Sequence, residues 1–122
     1  MYPETLLSIC DNSGATHAKC IRILNGSKRI KHGSIGDLIV AVVYRSKNPK
    51  KVQEHSIVFG LIVRTKKGIR RKDGIILRFG DNAAILLDKD GSPKGTRIVG
   101  VVPYDLRQLK LLKTLSVGGS VL

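Results

Sequence analysis

Apolar residues occur in short, branched runs separated by glycine, proline and charge. Leu61-Ile62-Val63 and Ile75-Ile76-Leu77 are each bounded by glycine and predict buried strands rather than helices. Asp73-Gly74 between them is a tight-turn signal, because glycine accepts the positive φ that a reversal needs. Thr5 to Ile9 and Ala18 to Leu24 predict strands on either side of an Asp11-Asn12-Ser13-Gly14-Ala15 turn. In the second of these, strict alternation would place Cys20, Arg22 and Leu24 on one face and Ile21 and Ile23 on the other.

Gly36 to Tyr44 is almost continuously apolar, the pattern of a strand buried on both faces. Ser56 to Val63, Ala83 to Leu87 and Thr96 to Val102 complete the β-rich runs, with a reversal at Asp90-Gly91. Beyond Pro103 the period changes. Leu106, Leu109, Leu111 or Leu112, and Leu115 recur at helical spacing, opposite Arg107, Lys110 and Lys113. Pro103 suits the first turn of a helix, and Gly118-Gly119 would stop it. The pattern is mainly β: a small antiparallel barrel over roughly 1–102, then short helices over roughly 103–117. No repeat or linker divides the chain, so residues 1–122 are expected to form one domain.

Charge adds the first functional constraint. Lys and Arg number 22 against 9 acids, a net charge of +13, and the hydrophobic content of 42% rules out overall disorder. Such an imbalance calls for a polyanion, folded nucleic acid before an acidic membrane. A membrane partner is not expected, because the charge is spread along the chain and no apolar run approaches a spanning length. The cations gather in three loops. Lys28, Arg29 and Lys31 form the first, and Arg45, Lys47, Lys50 and Lys51 the second. Arg64, Lys66, Lys67, Arg70, Arg71 and Lys72, with Arg78 beyond the turn, form a basic arm on a β base. Solvated surfaces normally mix signs, and these do not. All fourteen residues are therefore candidate RNA contacts.

The rings are Tyr2, Tyr44, Phe59, Phe79 and Tyr104, with both Phe inside apolar strand patterns. That is too few for a single-strand binder built on stacking, so the expected target is structured RNA held by phosphate and ribose. Catalytic chemistry finds little support. His17, His32 and His55 lie on separate elements without partners at ligand spacing. Asp88-Lys89-Asp90-Gly91 opens like a calcium loop, but no glutamate follows at the twelfth position. Cys10 and Cys20 match no zinc spacing and predict small buried thiols. No catalytic residue, metal or cofactor is expected. The N-terminus shows neither a basic n-region nor an Arg/Ser-rich leader, so the chain is made where it works or a leader has been removed.

Gly60-Leu61-Ile62-Val63, Asp73-Gly74, Phe79, Asn82 and Ile85-Leu86 resemble the signature of the bacterial-type large-subunit ribosomal protein fourteen family. The resemblance extends to Asp11-Asn12-Ser13-Gly14-Ala15, Arg64-Thr65-Lys66-Lys67-Gly68 and Gly95-Thr96-Arg97-Ile98, and so covers nearly the whole chain. Departures are Ile85 where valine is usual, Lys72 where proline is common, and Val117-Gly118-Gly119-Ser120 at the end. The resemblance implies a five-stranded barrel with a basic arm and short C-terminal helices. It implies a structural constituent of the large subunit, bound to large-subunit rRNA and bridging to small-subunit rRNA beside neighbouring ribosomal proteins. It further implies a silencing or assembly factor docking near Thr96, Arg97 and Lys113. The competing readings are an RNA-processing enzyme and a free-standing RNA chaperone on the same barrel. The departures lean towards a mitochondrial ribosome, with a bacterial cytoplasm or a plastid left open.

Overall fold

A computed structural model describes residues 5–24, 33, 35–48, 50–70, 73–89, 94, 97–98 and 116–117. Strands β1 (Leu6–Ile9), β2 (Ala15–Leu24), β3 (Leu38–Ser46), β4 (Ile57–Arg64) and β7 (Ala83–Leu87) close into a five-stranded barrel in the order β1-β2-β3-β4-β7. Strands β5 (Ile69–Arg70) and β6 (Ile76–Leu77) form a separate two-stranded ribbon, and β8 (Arg97–Ile98) pairs with β9 (Ser116–Val117). The expected barrel and arm are both present.

Its seams refine the expectation of an antiparallel barrel. β1–β2, β2–β3, β3–β4 and β4–β7 are antiparallel, and β1–β7 is parallel. An odd number of strands cannot alternate direction all the way round a closed ring, so one seam must run parallel. β9 also corrects the helical range: Ser116–Val117 is strand, parallel to Arg97–Ile98. Residues 99–115 lie outside the described residues, as does the Asp90-Gly91 reversal.

Two expectations about strand faces fail for physical reasons. In β2 the pairing slips between Cys20 and Arg22, a bulge that reverses the alternation. Cys20 therefore points into the barrel while Ile23, not Arg22, packs against the core further along. In β3 only Ile39, Ala41 and Val43 are buried, and Leu38 and Tyr44 face out. The stretches covered on both faces are residues 60–63 of β4 and the whole of β7. Ile62, Ala84 and Leu86 join the barrel interior, while Leu61, Val63, Ala83, Ile85 and Leu87 form a second cluster with Cys10 and Ile98.

The β1–β2 turn is tied down from within. Gly14 takes φ +112°, and the buried Asp11 accepts bonds from Ser13 N (3.2 Å), Ser13 Oγ (2.6 Å) and Leu86 N (3.0 Å). A carboxylate with this many donors can be buried without leaving orphaned charge.

Candidate nucleic-acid interface

The pairing registers link Arg64 to Arg45 the long way round the barrel. Arg64 lies opposite Ala83, Ala83 beside Ser8, Ser8 opposite His17 and His17 opposite Arg45. In the β3–β4 seam Leu38 pairs with Leu61 and Val42 with Ile57, so β4 leaves the barrel beside the start of β3, and the path climbs from there to the β3 exit as strand tilt requires. The second basic loop folds back there, with Lys47 N donating to Gly14 O at 2.8 Å and Ser46 Oγ to the same oxygen at 3.2 Å. Arg45, Lys47, Lys50 and Lys51 are exposed around it. Between the two exits lies an open cleft of about 500 Å3, lined by Asp11, Asn12, Thr16, Lys47 and Arg64 among others.

The ribbon leaves the barrel from a rigid root. Thr65 is buried, its Oγ1 accepts Gly68 N at 2.9 Å, and its carbonyl accepts Phe79 N at 3.3 Å. Asn82 Oδ1 accepts Lys66 N at 2.9 Å. Gly68 adopts φ +75°, and a Cβ there would collide with the Leu77 carbonyl, so this position requires glycine. At the far end Gly74 takes φ +87° and Asp73 Oδ1 accepts Ile75 N at 3.1 Å, which is the expected turn. Lys66, Lys67, Arg70 and Arg78 are exposed along this arm.

Arg64 behaves differently from the other candidates. Its side chain is 14% exposed and its Nη2 lies 3.3 Å from Asp81 Oδ2. Its Nε is buried without a hydrogen-bond partner among the described residues. Part of its charge is therefore held within the protein. Lys28, Arg29, Lys31, Arg71, Lys72, Thr96 and Lys113 lie outside the described residues, and Arg97 is described only as strand backbone.

Sequence patterning missed two features of the surface. Ile75 and Ile76, expected in a buried strand, are 54% and 48% exposed because their ribbon stands clear of the barrel. A band of Leu38, Tyr44, Ile57 and Phe59 faces outward from β3 and β4, with the Arg45 guanidinium 5.9 Å from the Tyr44 ring centre. The β3–β4 registers that align Val42 with Ile57 and Val40 with Phe59 make this band continuous. Alternation within each run was the available signal, and it identifies which side faces out only once the barrel's inner face is known.

The thiols are inert packing groups. Cys10 and Cys20 are free and buried. Burial pushes the Cys10 thiol up to about 12, partly countered by Arg64, and raises that of Cys20 as well. Among the described residues no cluster of His, Cys, Asp or Glu could hold a metal, and no helix is long and apolar enough to cross a membrane.

A closed barrel whose basic loops border one cleft, beside a charged ribbon, is a nucleic-acid-binding scaffold. The chain belongs to the ribosomal protein L14p/L23e family, whose model matches residues 1–122. It is similar to the large ribosomal subunit protein uL14c of Cuscuta gronovii, 45% identical over 119 residues, covering 98% of this chain and 97% of that protein. The uL14c of Cuscuta obtusiflora matches with the same identity and coverage. The chain is a structural constituent of the large ribosomal subunit and not an enzyme. Neither the processing-enzyme nor the chaperone reading is supported.

Proposed function

We propose that the chain holds large-subunit rRNA along the cleft that lies between the exits of β3 and β4, and that the ribbon extends this grip. The observation that carries the reading is the cleft itself, which Lys47 of the second basic loop and Arg64 at the root of the arm both line. Lys28, Arg29, Lys31, Arg71 and Lys72 extend the same charge by sequence. Lysine and arginine at this density displace counterions from phosphate, so affinity must fall steeply with salt.

The outward band on β3 and β4 suits a neighbouring ribosomal protein, because exposed contiguous apolar surface favours protein contact over solvent. The segment around Thr96, Arg97 and Lys113 is the proposed contact for small-subunit rRNA and for a silencing or assembly factor. Support for it comes from the family resemblance and from the β8 strand that contains Arg97. The relatives' uL14c designation is of chloroplast type and favours a plastid ribosome over the mitochondrial one expected from the departures.

The test is binding to a large-subunit rRNA transcript across a potassium chloride series, with sedimentation of tagged protein in lysates of each compartment. Steep salt dependence and co-migration with large subunits after a moderate salt wash are expected. A flat salt response would overturn the phosphate grip, and sedimentation with mitochondrial rather than plastid ribosomes would overturn the compartment.

A further inference from the structure

Ile76 is the least explained side chain in the ribbon. It stands 48% exposed, and the residues sharing its face are arginines. Arg70 is its partner in the β5–β6 register, and paired residues on antiparallel strands project to the same side. Arg78 lies two residues along, which is the same side again by strand alternation. From Ile76 onward exposure follows that alternation, with Ile76 and Arg78 exposed and Leu77 and Phe79 half-buried, while Ile75 beside the turn is exposed as well. The outward face is thus an isoleucine between two guanidinium groups, with neighbouring Cβ atoms about 5–7 Å apart.

A solvated ribbon gains nothing from a branched apolar side chain at that position, whereas a covered one does. The cover must also satisfy the two flanking cations, and Lys66 and Lys67 add two more at the root. That requirement selects a polyanion over an apolar protein surface. Single-stranded RNA is a poor match, since its bases seek rings or guanidinium planes and this face presents no ring. In helical RNA the deep, narrow major groove excludes a ribbon. The minor groove is wide and shallow, lined by riboses that offer apolar C–H surface and bordered by phosphates.

Resting on the rRNA-binding reading, we propose that Arg70, Ile76 and Arg78 lie in the minor groove of a double-helical rRNA segment. Ile76 packs on ribose, and the two guanidinium groups take phosphates on either side. Contact of this kind reads helix shape and carries no base code.

Affinity for a large-subunit rRNA transcript, measured against potassium chloride concentration, separates the parts. Ile76→Asn should weaken binding about 5–10-fold, the apolar area of one half-buried side chain, with an unchanged log–log salt slope. Arg70→Gln and Arg78→Gln should each weaken binding and flatten that slope by about 0.7–0.9, one phosphate contact apiece. Ile76→Ala should follow Ile76→Asn in the same direction, which guards against a folding artefact of the polar variant. Hydroxyl-radical cleavage should show riboses on both strands of one helix protected by the parent and exposed with Ile76→Asn.

If Ile76→Asn and Ile76→Ala bind as tightly as the parent while the arginine variants weaken, the groove contact fails and the rRNA reading stands. Protection confined to single-stranded loops, or an Ile76 effect seen only when neighbouring proteins are added, would equally overturn it. If the arginine variants also bind as tightly as the parent, the ribbon has no part in RNA binding and the grip proposed for it fails too.

Discussion

Asp11 Oδ2 accepts the Leu86 backbone N–H at 3.0 Å, across 75 residues of sequence. Strand β1 ends at Ile9, where its parallel pairing with β7 stops at Ala84. The Asp11 side chain therefore continues the work of the missing strand, satisfying a buried donor on β7 while its other oxygen holds the β1–β2 turn through Ser13. Asp11→Asn keeps the shape but sets an amide N–H₂ against one of those donors. Urea unfolding should show a loss of about 2–3 kcal/mol for Asn, and Asp11→Ala should be at least as costly. An Asn variant as stable as the parent would show that the carboxylate is dispensable at the seam.

Gly68 governs the ribbon in the same local way. Its φ of +75° and the Leu77 carbonyl facing it leave no room for a Cβ, and a carbonyl cannot swing aside as a side-chain tip can. Gly68→Ala should break the β5–β6 pairing while leaving the barrel folded. Amide resonances of residues 66–70 and 73–79 should shift, those of β1–β4 should not, and RNA affinity should fall about tenfold or more through lost preorganisation. Gly74→Ala is the control. Its φ of +87° is also strained, but nothing lies within 4 Å, so its cost should be confined to about 1–2 kcal/mol in the turn.

These two positions show how far the sequence was legible. Apolar runs located β1, β3, β4 and β7, and Asp73-Gly74 located the ribbon turn, because those signals are local. The direction of the β1–β7 seam, the bulge after Cys20 and the inward draw of Arg64 depend on partners far along the chain. Ile75 and Ile76 misled for another reason. A branched run signals that something covers it, and among the described residues nothing covers the ribbon's outer face. The candidate site was legible as charge but not as shape. That Lys47 and Arg64 line one cleft depends on how the barrel closes, which no loop composition encodes.

Cys10 makes a prediction about pH. Its folded pKa of about 12 lies above the ordinary 9.0, chiefly because burial penalises the thiolate. As pH rises past 9 the unfolded chain releases this proton while the folded chain keeps it. The stabilisation is whole below that point and is lost progressively between 9 and about 12. Cys10→Ala should therefore show a flatter alkaline limb in unfolding free energy than the parent. At pH 8 a disulfide reagent should leave both thiols of the folded protein unmodified and titrate both in denaturant, since reaction needs an accessible thiolate. Rapid labelling of native Cys10 would contradict its burial.

Arg64 and Asp81 supply a test of which cations meet RNA. The pair is 3.3 Å apart with unequal exposure, 14% for the arginine and 45% for the aspartate. Removing the aspartate strands a guanidinium that solvent barely reaches, whereas removing the arginine leaves a carboxylate that water can serve. Asp81→Asn should therefore cost more than Arg64→Met, about 1–3 kcal/mol once solvent screening at the exposed partner is allowed for. The double variant should lie close to Arg64→Met alone, because the penalty belongs to the orphaned charge. RNA binding adds the second readout. With its Nη2 engaged by Asp81, Arg64 should contribute little to phosphate neutralisation, so Arg64→Met should leave the salt slope nearly unchanged. Lys66→Gln, at an exposed position two residues on, should lower that slope by about 0.7–0.9. Equal slope changes in the two variants would mean that Arg64 gives up Asp81 and turns outward when RNA binds.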